Sequence, residues 1–366
     1  MNTTPFHTIA VIGLGLIGGS LCRALRRVFP GCSIVGVDHR PVIDLAHGVL
    51  DHGFTPDELP GALARIDLLF LAPPVDTILR LLPDVARYVP AGAVVTDVGS
   101  TKAQIVEAAC RCFGRDRYFI GGHPMAGHVH SGWHSSDAYL FENAAYILTP
   151  DLTVPANKKA DLAALLQALG AHVIEMDSGT HDRVAAQVSH LPQLLAVALM
   201  NYVARADGDR EARLRLAAGG FRDMTRIASS PFAVWRDILH TNRTAISSSL
   251  REFRDHLERL ANDLDGEGME PAFAAANQGR EQIPQDTRGF LQPHFDLSVV
   301  APDRPGALAA IASALAAENI NIKDIEVVKV REGEGGSLRL AFDSHHSRKR
   351  ALELLCNLGF PSQPRG

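Results

Sequence analysis

Cysteine is scarce in this chain. Five are present among 366 residues (Cys22, Cys32, Cys110, Cys112 and Cys356), an odd number, and none stands in a Cys-x-x-Cys pair. They read as reduced thiols in a cytosolic protein, with no disulfide scaffold needed to hold the fold. Long apolar runs are also missing. No stretch reaches the ~20 residues needed to span a bilayer. The first apolar run, residues 9–17, is interrupted by Gly13 and Gly15 and has no charged segment before it, so no signal peptide is read. Surplus positive charge is absent as well: the formal net charge is −5, with no basic stripe, which argues against a nucleic-acid partner. What the chain does have is ordinary globular material, 46% hydrophobic and 21% charged, enough to bury a large core. Its length predicts two or three domains.

Residues 8–177 alternate short apolar runs with helical patterns. The runs are 8–12, 33–37, 67–72, 93–98, 118–121, 145–148 and 172–176. Most are unbroken, as expected of strands covered on both faces, and the alternation predicts a doubly wound parallel sheet of the Rossmann type. From about residue 178 the strand signals stop. Residues 184–206 form a long apolar segment with helical spacing and Pro192 inside it, where a kink is expected. Further helical patterns near 209–218 and 232–263 make residues 178–275 an all-helical domain, whose long apolar helix suits a dimer core. Residues 264–292, rich in Gly, Pro, Gln, Asp and Ala, read as a linker, with 276–292 separating the domains. Residues 293–366 return to a βαββα pattern, a small α+β module with an antiparallel sheet. Its final stretch is doubtful as a strand, because it is short and contains Pro361 and Pro364.

Gly13-Leu14-Gly15-Leu16-Ile17-Gly18 is the strongest local signal. Alone, a Gly-x-Gly-x-x-Gly run is weak. Here it follows a strand and opens a helix. Gly13 permits the tight turn, Gly15 lets the backbone approach a pyrophosphate, and Gly18 lets helix and strand pack closely. The helix opens from Gly18 onward, and its N-terminus offers free N–H groups to phosphates, with Leu16 and Ile17 of the turn among the cofactor-binding residues. Asp38 ends the second strand twenty residues after Gly18 and suits the ribose hydroxyls. That favours NAD over NADP, although Arg40 nearby could engage a 2′-phosphate.

Two turns at strand ends carry the candidate chemistry. In 97–102 (Asp-Val-Gly-Ser-Thr-Lys), Ser100 either hydrogen-bonds a substrate oxygen or caps the next helix. In 121–127 (Gly-Gly-His-Pro-Met-Ala-Gly), His123 suits a base or hydrogen-bond acceptor near neutral pH; the alternative is a loop His that satisfies backbone groups. His128, His130 and His134 lie close by, but no acid or Cys completes an obvious ligand set, so no metal is expected. His190, on an otherwise apolar helix, reads by itself as a satisfied core residue. The cluster of Arg and Asp in 219–228 (Gly-Gly-Phe-Arg-Asp-Met-Thr-Arg-Ile-Ala), with Trp235 downstream, suits an anionic substrate or structural ion pairs.

Taken together in this order, GLGLIGGS, DVGSTK, GGHPMAG, LFENAAYILTP, SHLP and GFRDMTRIA followed by WRDI resemble the prephenate and arogenate dehydrogenase family of tyrosine biosynthesis, over nearly the whole chain. The resemblance implies oxidative decarboxylation of a cyclohexadienol: hydride leaves the ring carbon that bears the hydroxyl, CO2 departs and the ring becomes aromatic. It assigns His123 to the ring hydroxyl as proton acceptor and Ser100 to holding that hydroxyl in register. Arg226 is assigned to a substrate carboxylate, Asp223 to orienting its neighbours, and His190 and Trp235 to the substrate side-chain region. Many relatives read SHLPH where this chain has Gln193, and a Lys near His130; both differences fall near the expected pocket. The C-terminal module resembles an ACT domain, the small amino-acid-sensing fold. Asp303, Arg304, Gly306 and Ala307 match its ligand loop and Asn321 its next turn, which implies feedback by tyrosine, with a dimerisation module as the alternative. That module favours prephenate over arogenate. A β-hydroxyacid dehydrogenase would need a Lys in the helical domain, and the chain has none between Lys159 and Lys323. A non-enzymatic sensor is disfavoured by the presence of His123 and Arg226.

Overall fold

Val, Ile, Leu and Phe fill the short runs of the first half, each of which forms a strand, and one further short strand at 52–54 joins them. They are β1 Thr8–Ile12, β2 Ser33–Val37, β3 His52–Phe54, β4 Leu68–Leu71, β5 Val94–Asp97, β6 Tyr118–Pro124, β7 Ala145–Pro150 and β8 His172–Glu175. The computed structural model describes residues 4–127, 131–151, 153–205, 210–282, 295–331 and 335–365. The chain separates into two units, Met1–Ala274 and Ala275–Gly366.

In the first unit the eight strands make one sheet in the order β3-β2-β1-β4-β5-β6-β7-β8. Alternate residues of β1 enter opposite cores. Ile9 and Val11 pack with Leu21 and Leu25 of the helix Leu16–Val28 and with Leu162, Leu165 and Leu166 of the helix Ala156–Ala168. Ala10 and Ile12 pack with Ile78, Leu82 and Val85 of the helix Val75–Tyr88 and with Ile105 and Ala109 of the helix Ala103–Cys112. Each such large side chain removed from water is worth roughly 1.5–3 kcal/mol, which is why the strands carry no polar alternation.

The sheet departs from the expected all-parallel pattern at one place. β7 runs antiparallel to β6, while β8 is parallel to β7. Parallel neighbours need a crossover to return the chain to the starting end; β7 instead starts at the end where β6 stops, so none is needed. The small edge strand β3, absent from the expected set, pairs with β2 through only three residues.

The loop after β6 straps the first helix. Arg23 Nε donates to Ser136 Oγ at 2.7 Å and its guanidinium lies 4.6 Å from the Trp133 ring centre. A Cβ on Gly19 would stand 2.9 Å from both Trp133 and Ser136, so the helix must be bare there.

From Ser178 the chain is helical. Asp177 caps the first helix, Ser178–Ala185, by accepting from Thr180 N at 2.8 Å. The expected kink at Pro192 takes the form of a π-helical segment, Ala186–His190, ahead of the helix Leu191–Arg205. Proline has no N–H to offer the preceding turn, and the widened turn absorbs the mismatch. Helices Arg210–Leu216, Gly219–Thr225, Phe232–Thr241 and Arg243–Asn262 follow. The expected continuous pattern over 232–263 breaks at Asn242. The stretch expected as a linker is helical over Met269–Gln282, where three consecutive alanines favour the helix; residues 283–292 lie outside the described residues.

The second unit contains β9 Phe295–Ala301, β10 Asp324–Arg331, β11 Gly335–Phe342 and β12 Ser362–Arg365, in the order β10-β11-β9-β12. Two helices, Ala307–Ala317 and His345–Asn357, bury Ile311, Leu315, Ala351 and Leu355 against Leu297, Val299, Leu338, Leu340 and Phe342. The doubtful last strand does form. It lies at the sheet edge, where Pro364 opposite Leu297 needs no donor on its outer side.

Candidate active site

Gly13 has φ of +88°, and a Cβ there would lie 2.8 Å from Pro73 N; a Cβ on Gly18 would lie 1.8 Å from Gly13 O. Both glycines are demanded by the protein's own backbone. Gly15 differs: nothing stands within 4 Å of where its Cβ would be. It faces a cavity of about 450 Å³ lined by Ile12, Gly13, Asp38, Pro56, Ala72, Pro73 and Thr77 among others. Leu16 and Ile17 open the adjoining helix with no side-chain cap on its first amides. A bare backbone, free amides and an apolar slot ending in a carboxylate fit a dinucleotide. Asp38 already accepts from Leu14 N at 2.6 Å and His39 N at 2.7 Å, which holds the carboxylate at the rim of the cavity. Arg40 is exposed and paired with Asp44 at 3.3 Å.

At the same end of the sheet, β5 and β6 deliver the second cluster. Asp97 and Lys102 are both fully buried and form an ion pair. Asp97 also accepts from Gly99 N at 2.8 Å and Gly122 N at 3.0 Å, while Lys102 Nζ donates to Gly122 O at 2.7 Å. Burial pushes the lysine pKa down, against the pull of Asp97. The pair therefore grips Gly122 by both backbone groups and sets the position of His123 beside it. Gly122 has no room for a side chain, since a Cβ would lie 2.5 Å from Asp97 O.

His123 is 8% exposed. Its Nδ1 lies 2.8 Å from His181 Nε2, and His181 Nδ1 lies 2.8 Å from Asp182 Oδ1. Burial first, then the neighbouring His181, Lys102 and His190, hold the His123 pKa well below its ordinary value, so the ring is neutral near pH ~7. The loop-histidine alternative does not describe this residue.

Asp182 also shows that Ser100 does not cap the next helix. The helix after Ser100 starts at Ala103, with Lys102 as an N-cap that offers no side-chain bond. Its first amides are held from eighty residues away: Lys102 N donates to Asp182 Oδ1 at 2.7 Å and Ala103 N to Asp182 Oδ2 at 2.9 Å. Ser100 is therefore not the cap, and its half-buried hydroxyl sits at the tip of the turn after β5. Asp237 does the same for Val75–Tyr88, whose N-cap is Pro74, by accepting from Asp76 N at 3.2 Å.

His190 sits 1% exposed in the π-helical segment, with Asn242 Nδ2 3.2 Å from its Nδ1 and the Trp235 ring edge-on at 5.9 Å. Burial lowers its pKa to about 4. Asn242 Nδ2 also donates to Asp182 O at 2.8 Å, which joins His190 to the His123 cluster. Gln193 is buried and donates to Ile227 O at 2.9 Å, so it clamps the turn that carries Arg226. Arg226 and Asp223 are exposed on that turn and the preceding helix. The structure thus connects His123, His190 and Trp235 through His181, Asp182 and Asn242, while Gln193 is tied to the turn of Arg226, and Arg226 and Asp223 are exposed. His128 and His130 lie outside the described residues. In the second unit, Gly306 has φ of +86° and starts the helix Ala307–Ala317, Ala307 is buried, and Arg304 and Asn321 are exposed; Asp303 belongs to the same loop.

Sequence reasoning missed His181, Asp182 and Asn242, and quoted Lys102 and Asp237 without a role. One signal was available: His181-Asp182 is a polar pair placed just before a long apolar helix.

Three family descriptions match the chain: prephenate dehydrogenase, nucleotide-binding domain, over residues 21–175; prephenate dehydrogenase, dimerization domain, over 177–276; and ACT domain over 295–360. The prephenate dehydrogenase of Bacillus subtilis (strain 168) is 36% identical over 355 residues, 95% of either chain. Among solved structures, prephenate dehydrogenase from A. aeolicus in complex with hydroxyphenyl propionate and NAD+ superposes with a TM-score of 0.70 at 28% identity, covering 78% of this chain and 99% of that one. Synechocystis arogenate dehydrogenase superposes with a TM-score of 0.67 at 30% identity, covering 76% and 100%. With a nucleotide cradle, a neutral buried histidine at the sheet's carboxyl edge and relatives matched from end to end, this chain belongs to the prephenate dehydrogenase family.

Proposed function

We propose that the protein oxidatively decarboxylates prephenate to 4-hydroxyphenylpyruvate with NAD, as a step of tyrosine biosynthesis in the cytoplasm. The observation that carries this reading is His123: buried, neutral, tied through one ring nitrogen, and placed at the carboxyl ends of the strands, the same end of the sheet as the glycine turn. NAD, when bound on Gly13, Gly15, Gly18 and Asp38, supplies the hydride acceptor. His123 accepts the proton of the ring hydroxyl and returns it to the phenol oxygen as CO2 leaves. Ser100 holds that oxygen toward His123. Arg226, on the turn held by Gln193, binds a substrate carboxylate, with Asp223 orienting it. His190 and Trp235 line the side-chain end of the substrate.

The helical region leaves Tyr202, Leu216, Met224, Phe232 and Val234 exposed, which supports a homodimer through this face. The ACT loop 303–307 supports an amino-acid effector, tyrosine being the end product that would report on flux. Arogenate is the second reading, favoured by the Synechocystis likeness, and the Gln193 departure leaves that choice open.

The test is NADH formation with prephenate and with arogenate, each with NAD and with NADP. Turnover of prephenate with NAD is expected, and His123→Ala should lower kcat by about 10²–10⁴-fold. Folded protein that turns over neither substrate with either cofactor would sink the assignment.

A further inference from the structure

Three side chains follow one another in hydrogen-bond contact: His123 Nδ1 to His181 Nε2, and His181 Nδ1 to Asp182 Oδ1, each at 2.8 Å. Each link constrains the next. Asp182 accepts two backbone amides at the start of the helix Ala103–Cys112, at 2.7 and 2.9 Å. Both of its oxygens thus serve as acceptors, at the positive end of that helix. An ionised carboxylate can only accept. His181 Nδ1 must therefore carry a hydrogen and donate it. A neutral His181 then has a bare Nε2, which can only accept. His123 Nδ1 must therefore donate to it. In neutral His123 the remaining nitrogen, Nε2, is left with its lone pair.

We infer that His181 and Asp182 are positioning residues that set the tautomer of His123, so that Nε2 rather than Nδ1 takes the substrate proton. The inference rests on His123 being the proton acceptor of the proposed reaction. In the step, the hydroxyl O–H bond breaks and an Nε2–H bond forms. His123 becomes an imidazolium whose Nδ1–H still points at His181, and the Asp182 charge at the far end of the chain stabilises it without Asp182 taking the proton. The same proton returns to the phenol oxygen when CO2 leaves. His181 and Asp182 touch neither reacting atom. Without them His123 would be free to place its hydrogen on Nε2, where it could donate but not accept.

The arrangement also explains why Asp182 lies so deep. Through its carboxylate it ties the turn carrying Ser100, and through its own carbonyl it accepts from Asn242 beside His190. One residue thus holds three parts of the site in register.

The experiment uses full-length protein labelled with ¹⁵N-histidine, with the His123 signals identified by their loss in His123→Gln. The expected result is a protonated Nδ1 and an unprotonated Nε2 on His123. A protonated Nε2 with a bare Nδ1 overturns the inference. Kinetics supply a second arm. His181→Ala should lower kcat by about 10²-fold or more with KM for prephenate changed less than ~threefold, the signature of an interaction realised in the transition state. His181→Gln offers a carbonyl in place of Nε2 and should recover at least ~tenfold of that loss. Equal impairment of the two variants, or a raised KM with kcat intact, overturns it as well. If the alanine variant does not fold, the glutamine variant and the spectra still decide. Wild-type protein that turns over neither prephenate nor arogenate would sink the reaction assignment, while the spectra would still report whether His181 sets the tautomer.

Discussion

The sheet domain and the helical region of the first unit are built on opposite plans. The sheet domain keeps its large apolar side chains inside, in two cores on either face of the strands. The helical region has a small core of its own, Ala186, Ile238 and Ile246 with their partly buried neighbours. It buries polar groups instead: His181, Asp182, His190, Gln193, Asp237, Thr241 and Asn242 all lie at or below 6% exposure. Its large apolar residues face outward, with Tyr202 75%, Leu216 80% and Phe232 68% exposed. The sheet domain is thus a self-sufficient solid. The helical region is a wall that buries polar side chains and exposes large apolar ones, which fits the homodimer proposed above. Several of these buried polar groups find partners across the junction, such as Thr101 Oγ1 with Thr241 Oγ1 at 2.8 Å and Asp182 with the amides of Lys102 and Ala103.

Substitutions and pH should separate the two plans. The largest effect is expected in the sheet domain, where space is the constraint. Gly18→Ala places a carbon 1.8 Å from Gly13 O. The backbone must move, at a cost of about 3 kcal/mol or more, and NAD affinity should fall with stability. Gly15→Ala is the control: its φ of −73° suits any residue and the space is open. Its melting temperature should stay near wild type while NAD affinity drops. If Gly15→Ala binds NAD normally, the cradle is not where the dinucleotide lies.

Acid should act on the helical wall first. The His190 pKa in the folded protein is lowered to about 4, from an ordinary 6.5. The unfolded chain therefore binds the extra proton first as pH falls below about 6.5, and folded stability is lost progressively from there down to about 4. At pH ~5 this one residue accounts for on the order of 2 kcal/mol, and His123 adds in the same direction. Urea midpoints at pH ~7 and ~5 test this; an unchanged midpoint would mean the wall admits a charged histidine.

The smallest effect concerns the caps. Asp237→Ala removes the group that accepts from Asp76 N and should cost about 1 kcal/mol, read as a lower urea midpoint with little change in NAD affinity. A neutral result would show that the helix Val75–Tyr88 does not depend on the helical wall.

The parts of the protein set by short-range physics were legible in the sequence. Unbroken apolar runs announce strands covered on both faces, and Gly13, Gly15 and Gly18 announce the cradle, because contiguous residues build it with their backbones. His123 stood out because glycines and a proline surround it. Pro192 announced a break, though only the structure gives it the form of a π-helical turn. The sequence also resembled its family closely enough to assign residues one by one, and Gln193 stood out as a departure. Tertiary structure alone decided who partners whom. Pro74 and Lys102 are poor caps by residue type, and nothing local says that Asp237 and Asp182 serve in their place. No spacing rule connects His181 to His123, fifty-eight residues apart. The reversal at β7 and the edge strand β12 depended likewise on where the chain returned. Local patterns follow from neighbours along the chain, whereas a buried donor takes whichever acceptor the packed fold brings within about 3 Å.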